Sequence, residues 1–209
     1  MSTADRKERE KERRRNEIIA AGEKLFFSKG YENVTMDEIA RETELARGTL
    51  YLYFKNKDDI CVAIAVRGLK ILNGMFRDGC LLGGTGIEKI RSLLMALYEF
   101  HKKYPGYYAT INYLQMHGFD KSDFPEMDEM EAIHGDSFAM VIEAFNEGIG
   151  DGTVKDDIDP VKATMVLTSS MQSMLCLPST IEMPGGKITL DELVDYAAGL
   201  MLRSIGNVS

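Results

Sequence analysis

The sequence is poor in the features that mark secreted and membrane-spanning proteins. Its three cysteines, Cys61, Cys80 and Cys176, are widely spaced and odd in number, which fits a reducing compartment better than a disulfide framework. The opening residues, MSTADRKEREKERRRNE, are dense in charge and lack the apolar core of a secretory signal. We therefore expect a cytoplasmic protein in which all three cysteines are small buried residues.

Long apolar stretches are also missing. The longest segment without charge lies between Lys162 and Glu182, and it holds five Ser or Thr residues and a Gln before Pro178. That segment is too polar for a good membrane span, so we expect no membrane partner. A buried helix at a subunit interface is the better interpretation.

The patterns of common catalytic and metal sites do not occur. There is no nucleophile elbow, no phosphate-binding loop and no CxxC pair. His101, His117 and His134 are too far apart for a metal pair on one helix, and DGTVKDDID at 151–159 lacks the spacing and the final Glu of a calcium loop. The sequence predicts a protein that is not an enzyme and that has no metal or cofactor.

Strand signals are scarce, whereas amphipathic helix patterns follow one another along the chain. An all-α fold is therefore predicted. Thr35 and Glu38 have the spacing of a capping box, and Gly22, in the middle of the first helix, favours close packing against another helix. The helices are expected near 16–28, 35–43, 46–53, 58–78, 87–103, 106–117, 126–147, 160–177 and 189–205.

Charge is divided unevenly along the chain. Residues 1–57 carry a net charge of +2 and residues 58–209 carry −10, within a total of −8. This asymmetry predicts two domains, a basic arm with a DNA-binding domain at 1–57 and a second helical domain at 58–209. The arm, RKEREKERRR, has seven basic residues among ten. It suits a solvated helix held by ion pairs, a nucleic-acid contact, or both.

The two short helices at 35–43 and 46–53 are joined by a tight turn, as in a helix-turn-helix. At about 100° per residue, Leu50 and Phe54 fall on one side of the second helix and can pack into a small core. The opposite side carries a glycine, hydroxyl groups and a basic residue, and it carries no acid. A mixture of this kind suits a surface that meets DNA.

Individual side chains on that surface have chemistry that suits DNA. Arg47 can donate two hydrogen bonds to guanine, and Gly48 allows a close backbone approach. The hydroxyls of Thr49, Tyr51 and Tyr53 can donate to phosphates. The set also includes two further phosphate contacts. They are Thr35, at the N-terminus of the first of these helices, and Lys57, just beyond the second, which is the recognition helix.

Residues 18–60 closely resemble the DNA-binding domain of the tetracycline-repressor (TetR) family of bacterial transcriptional regulators. The segments LFFSKGYENVTMDEIA and GTLYLYFKNKDD occur in the family's order and spacing without a gap. The resemblance places the DNA contacts on the residues named above. Two positions depart from the family pattern, because Ala46 stands where a Ser or similar cap is common and Tyr53 stands where His is common.

The resemblance also implies that the remaining chain is an all-α domain that dimerises through its last two helices. A two-fold four-helix bundle would bury the apolar residues of these helices and would present two recognition helices to a palindromic site. The predicted interface residues are Val166, Leu167, Ser170, Met171, Met174, Leu193, Ala197, Leu200 and Met201.

A pocket for a small inducer is the second implication of the resemblance. Methionine and tyrosine are abundant beyond residue 58, and such side chains can line an adaptable apolar cavity, although more often they fill cores. The segment YPGYYATINYLQMHGF combines apolar bodies with polar tips, which suits an apolar or amphipathic ligand. The predicted ligand-binding residues are Tyr104, Tyr107, Tyr108, Asn112, Tyr113, Gln115, Met116 and His117.

The function predicted from these features is a homodimeric repressor that binds a palindromic operator in double-stranded DNA and is released by a small inducer. An alternative is a regulator of the same fold that has no inducer and acts through a protein partner or as an activator.

Overall fold

The computed structural model describes residues 3–81, 83–117 and 126–207. Within these ranges the chain forms nine α-helices, one short 3₁₀ helix at Tyr31–Asn33 and a two-stranded sheet, which confirms the all-α prediction. The helices are α1 (Thr3–Lys29), α2 (Met36–Glu42), α3 (Arg47–Leu50), α4 (Lys57–Leu81), α5 (Gly86–Lys103), α6 (Pro105–His117), α7 (Met127–Gly150), α8 (Pro160–Leu175) and α9 (Leu190–Ile205).

Helix ends agree with the sequence to within a few residues except at the first helix, which begins at Thr3 rather than near residue 16. The basic arm is therefore the first half of α1. Arg13 and Arg14 both pair with Glu17 at helical spacing, and such pairs stabilise an exposed helix. The predicted capping box of α2 is present, and Asp159 caps α8.

The segment between α8 and α9 was expected to be a loop, and the structure shows a β-hairpin there. Strand β1 (Thr180–Met183) pairs antiparallel with β2 (Gly186–Thr189). Pro184 and Gly185 form the turn, in which Gly185 takes a φ of 105°. Pro followed by Gly suits a tight turn of this kind. Each strand has a single isoleucine, Ile181 in β1 and Ile188 in β2. So short an apolar pattern cannot distinguish a strand from a loop.

The first of two compact units comprises Met1–Lys70 and Tyr104–Glu131. Ile18, Ile39, Leu50 and Ile60 are fully buried in its core. A Cβ on Gly22 of α1 would lie 2.6 Å from Cγ2 of Ile60 on α4, so the close packing predicted at this glycine is confirmed.

The second unit comprises Ile71–Lys103 and Ala132–Ser209, so α4 and α7 contribute residues to both units. Its core includes Leu93, Phe100, Phe145 and Val194. These two units are defined by compactness, whereas the predicted boundary between residues 57 and 58 separates two functions. That functional boundary stays a prediction.

Only one of the three cysteines is fully buried. Cys61 is buried, and burial raises the pKa of its thiol to about 12, so that it stays protonated and unreactive at neutral pH. Cys80 is half-buried and Cys176 is exposed. The prediction that all three are buried is therefore wrong for Cys176, which follows the last residue of α8 and caps that helix with its backbone.

Candidate DNA-binding surface

The helix-turn-helix is formed by α2 and α3. Between them the chain turns through Glu44, which takes a φ of 55°, and the backbone N–H of Leu45 donates to the carbonyl of Ala40 over 2.9 Å. Helix α3 is shorter than the predicted 46–53, but hydrogen-bonded turns continue its path to Phe54. The recognition element is therefore one helical turn extended by tighter turns.

Burial divides this element as the helical wheel predicted. Leu50 and Phe54 are buried in the core of the first unit. Gly48 is exposed on the opposite side, and Arg47 and Tyr51 are exposed on its flanks. Thr49 and Tyr53 are half-buried, and the neighbouring Leu52 is 81% exposed. The predicted DNA contacts of α3 thus lie together on one accessible surface.

Arg47 has two partners on this surface. Its Nε lies 3.1 Å from Oδ1 of Asp37 on α2, and the guanidinium carbon lies 5.8 Å from the ring centroid of Tyr51. A hydrogen bond with Tyr51 and the negative charge of Asp37 raise the pKa of Arg47. The ion pair between Asp37 and Arg47 could not be predicted from the sequence, because it depends on how the turn between the two helices folds.

Thr35 is exposed at the N-terminus of α2, as predicted, but its hydroxyl serves the helix cap. It accepts a hydrogen bond of 3.3 Å from the backbone of Glu38 and lies 3.1 Å from the Glu38 carboxylate. That carboxylate also pairs with Lys29 at 2.8 Å. The hydrogen bond from Lys29, together with those from Thr35, lowers the pKa of Glu38 to about 2.

Lys57 is half-buried and is held on the other side of the recognition helix. Its Nζ donates to the backbone carbonyl oxygen of Tyr31 over 2.8 Å and lies 4.0 Å from the centroid of the Tyr31 ring. Asn56 caps α4 by accepting a hydrogen bond of 2.8 Å from the backbone N–H of Asp59. The ammonium group therefore has a fixed position at the start of α4.

The predicted ligand-binding residues belong to the first unit, and all of them lie on α6 except Tyr104, which directly precedes it. Tyr107 donates to Glu23 over 2.8 Å and packs edge-to-face against Phe27. Burial raises the pKa of Tyr107 to about 12, so its hydroxyl remains a donor at neutral pH. This part of α6 therefore packs against α1.

Other members of the predicted ligand group also contact neighbouring side chains. Tyr113 donates to Glu32 over 2.7 Å and packs on Tyr31 at 4.4 Å, and the ring of His117 stacks on Tyr113 at 4.1 Å. Tyr108 is buried, Tyr104 and Asn112 are half-buried, and Gln115, Met116 and His117 are exposed. The structure thus shows packing roles for several of these residues, and their binding of a ligand remains a prediction.

A small apolar cavity lies in the second unit. Its free volume is about 10 Å³, which is room for about one water molecule. Its lining is made of aliphatic and aromatic side chains together with Thr168. The lining residues are Phe76, Ile90, Leu93, Leu94, Leu97, Val141, Leu167 and Thr168. Periodicity alone could not find this site, because the same residues read as ordinary core positions.

The predicted dimer residues on α8 and α9 divide into three groups by exposure. Val166 and Leu200 are exposed, at 64% and 48%. Leu167 and Met171 are buried within their own chain, so their side chains cannot contact a second copy without a rearrangement of the core. The half-buried members are Ser170, Met174, Leu193, Ala197 and Met201. Met165 and Tyr196, which were not predicted, enlarge the exposed apolar surface.

Sequence comparison identifies the helix-turn-helix. Residues 18–64 match the sequence profile of bacterial regulatory proteins of the tetR family. These residues therefore form a DNA-binding domain of the tetR-family type. Proteins with this domain are DNA-binding transcriptional regulators.

Individual TetR-family relatives agree with this assignment. The HTH-type transcriptional repressor KstR2 of Mycolicibacterium smegmatis is 26% identical over 148 residues, which is 70% of each chain. An HTH-type transcriptional regulator of Staphylococcus aureus strain USA300 is 42% identical over 73 residues, which is 35% of this chain and only 38% of that protein.

One similar structure is that of AibR in complex with isovaleryl coenzyme A and operator DNA. It superimposes with a TM-score of 0.66 at 17% identity and covers 90% of this chain and 97% of that one. At this identity the likeness shows a shared fold.

Two further observations concern the described part of the chain. In residues 3–81, 83–117 and 126–207, no three His, Cys, Asp or Glu side chains lie close enough together to hold a metal ion. Across the same ranges, none of the helices combines the length and the apolar character needed to cross a membrane.

Proposed function

We propose that the protein is a homodimeric repressor that binds a palindromic operator and that a small apolar inducer releases it. One observation carries the DNA-binding part of this proposal. Arg47, Gly48, Thr49, Tyr51 and Tyr53 occupy the accessible side of the recognition element, while the buried side holds the element to its domain. This arrangement leaves a basic, hydroxyl-rich surface free to enter a major groove.

Selection of DNA by the protein tests this assignment. A random-sequence duplex library should yield a palindromic consensus, because two copies of one surface contact two equivalent half-sites. Arg47→Ala should lower affinity for the consensus and remove the preference for one G·C pair in each half-site. Equal loss on the consensus and on random DNA would refute the base contact of Arg47.

The exposed apolar residues of α8 and α9 support dimerisation through these helices. Val166 and Leu200 would leave water if a second copy covered them, and each buried aliphatic side chain contributes about 1.5–3 kcal/mol. The double variant Val166→Asp, Leu200→Asp should therefore be monomeric in light scattering. Leu81→Asp is the matched control, since Leu81 is 82% exposed at the end of α4, away from these helices in sequence.

The cavity of the second unit supports a small apolar inducer. Its free volume of about 10 Å³ lies far below the range of about 300–1,000 Å³ for ligand pockets, so an inducer would have to push the lining side chains apart. AibR, which shares the fold, was captured with isovaleryl coenzyme A and operator DNA, and the branched acyl chain of such a thioester is apolar like the lining of this cavity.

The inducer would act through α4, which carries Lys57 at its start and Phe76 in the cavity lining. A ligand that displaces α4 changes the position of both recognition helices of a dimer relative to a site of fixed spacing. At saturating ligand, DNA affinity then falls by the ratio of the ligand's affinity for the displaced state to its affinity for the DNA-binding state.

Short acyl-coenzyme A thioesters, isovaleryl coenzyme A among them, are the compounds to titrate first. Binding in the cavity should raise the melting temperature and lower consensus affinity together. Val141→Leu, which adds bulk to the lining, should remove both effects, whereas Met165→Leu on the exposed side of α8 should keep them. If no thioester shifts either quantity, the alternative of a regulator that acts through a protein partner or as an activator is favoured.

A further inference from the structure

The exposed acid Asp37 is an unexpected neighbour for a surface that meets DNA. Its carboxylate, 57% exposed, lies beside the guanidinium of Arg47 on the accessible side of the helix-turn-helix. A negative charge at this place repels phosphates and weakens binding to every sequence. An acid that weakens DNA binding in this way is expected to have another role at this surface.

The geometry of the pair supplies such an effect. Asp37 contacts Nε of Arg47, at 3.1 Å, and does not occupy the two terminal nitrogens of the guanidinium. The hydroxyl of the exposed Tyr51 is the neighbour of these nitrogens that DNA would have to replace or share. Those two nitrogens form the fork that donates to O6 and N7 of guanine. Asp37 thus occupies the edge of the guanidinium that a base contact does not need.

Tyr51 restrains the same guanidinium from the recognition element itself, with its ring centroid 5.8 Å away. An arginine side chain has many rotamers, and ordering it on binding costs affinity. Two partners that hold Arg47 before DNA arrives lower this cost for the one orientation they support. They do not lower it for the other orientations that a wrong base would require.

We propose that Asp37 is a positioning residue, which orients Arg47 for a guanine contact and thereby raises sequence specificity while it lowers general affinity for DNA. This inference rests on the base contact assigned to Arg47 in the proposed function. Asp37 lies in the first turn of α2, where a negative charge also stabilises the helix through its interaction with the helix dipole. A purely structural role of that kind would alter stability and leave base preference unchanged.

The test compares Asp37→Asn, Arg47→Ala and the double variant with the wild-type protein. Glu44→Gln is the charge-matched control, because Glu44 is an exposed acid in the turn between α2 and α3. Binding is measured by fluorescence anisotropy at fixed salt on three kinds of duplex: the consensus selected by the wild type, its versions with each G·C pair replaced by A·T, and random DNA of equal length.

Arg47→Ala should remove a preference of roughly 5- to 150-fold at one G·C pair per half-site. Asp37→Asn should reduce the preference at that same pair at least several-fold and should bind random DNA as tightly as the wild type or more tightly. In the Arg47→Ala background, Asp37→Asn should change no base preference, because the residue it positions is absent. Glu44→Gln should leave the G·C preference intact.

The inference is overturned if Asp37→Asn keeps the full G·C preference, or if it weakens binding to the consensus and to random DNA equally. It is overturned as well if the loss of preference persists in the Arg47→Ala background. If instead Arg47→Ala itself leaves every base preference intact, or if selection yields no consensus, the proposed function fails at that step and the role of Asp37 fails with it. The Arg47→Ala result therefore separates the two failures.

Discussion

Two alanine substitutions at helical glycines, Gly22→Ala in α1 and Gly48→Ala in α3, should have opposite effects on stability and on DNA binding. Alanine is favoured over glycine in a helix interior by about 1 kcal/mol, and each substitution gains up to that amount. The surroundings differ, since a Cβ at Gly48 would have no atom within 4 Å. At Gly22 it would lie 2.6 Å from Cγ2 of Ile60 and 3.2 Å from Cδ1 of Ile64.

The overlap at Gly22 cannot be relieved cheaply. Ile60 and Ile64 are fully buried, and a β-branched side chain has little rotamer freedom on a helix. Overpacking of this kind costs about 1–3 kcal/mol. Because the propensity gain is common to both variants, Gly22→Ala should be less stable than Gly48→Ala by about that overpacking cost.

Thermal unfolding of the full chain, followed by far-UV circular dichroism, measures this difference. In a chain of this size, 1 kcal/mol corresponds to about 2–4 °C in Tm. In an Ile60→Ala background the cost of Gly22→Ala should largely disappear, because the methyl group it meets is gone. Equal melting temperatures for Gly22→Ala and Gly48→Ala would refute the close contact between α1 and α4. Gly48→Ala should instead lower affinity for the selected DNA without loss of stability, since a methyl group would separate the backbone from the groove.

Three other results are expected. Lys57→Ala should weaken binding to all sequences and reduce the slope of log affinity against log salt by about 1, because it removes a phosphate contact; an unchanged slope would contradict that role. Glu38 should titrate near pH 2 by NMR, and Lys29→Met should raise this pKa, since the Lys29 hydrogen bond is its largest cause. Because the folded-state pKa is lowered, the stabilisation it reports is present above about pH 4.5 and is lost as the pH falls towards 2. Cys176 should react with a maleimide in the native protein, whereas Cys61, whose pKa is raised by burial, should react only on unfolding.

Local patterns predicted the helix-turn-helix well because they carry its physics. Thr35 and Glu38 are three residues apart, and their capping box forms from neighbouring atoms alone. Leu50 and Phe54 are one turn apart, so the side that is buried follows from helical geometry. The pair of Asp37 and Arg47 could not be predicted in this way, because it depends on the angle between two helices.

The tyrosines of α6 show the opposite limit. Sequence could place Tyr107 and Tyr113 on a helix and could recognise their amphipathic character. It could not tell whether a ligand or a neighbouring helix covers them, since both offer an apolar surface and an acceptor. In the structure the acceptors are Glu23 of α1 and Glu32 of the 3₁₀ helix. The cavity of the second unit escaped prediction for a related reason, because its lining is ordinary aliphatic core until packing leaves a gap.

The electrostatics of the candidate surface indicate how binding strength and specificity are divided. Arg47 pairs with Asp37, Lys29 pairs with Glu38, and Lys57 donates to a backbone carbonyl. Part of the positive charge is therefore already balanced within the protein, and the whole chain carries a net charge of −8. General attraction to phosphates supplies most non-specific binding, so that binding should be weak and should depend less steeply on salt than it does in a more basic protein. If the proposed function holds, affinity for an operator comes from fixed side chains that fit one sequence and from two copies bound at once, and preorganised pairs such as Asp37 and Arg47 then matter more than the number of basic residues.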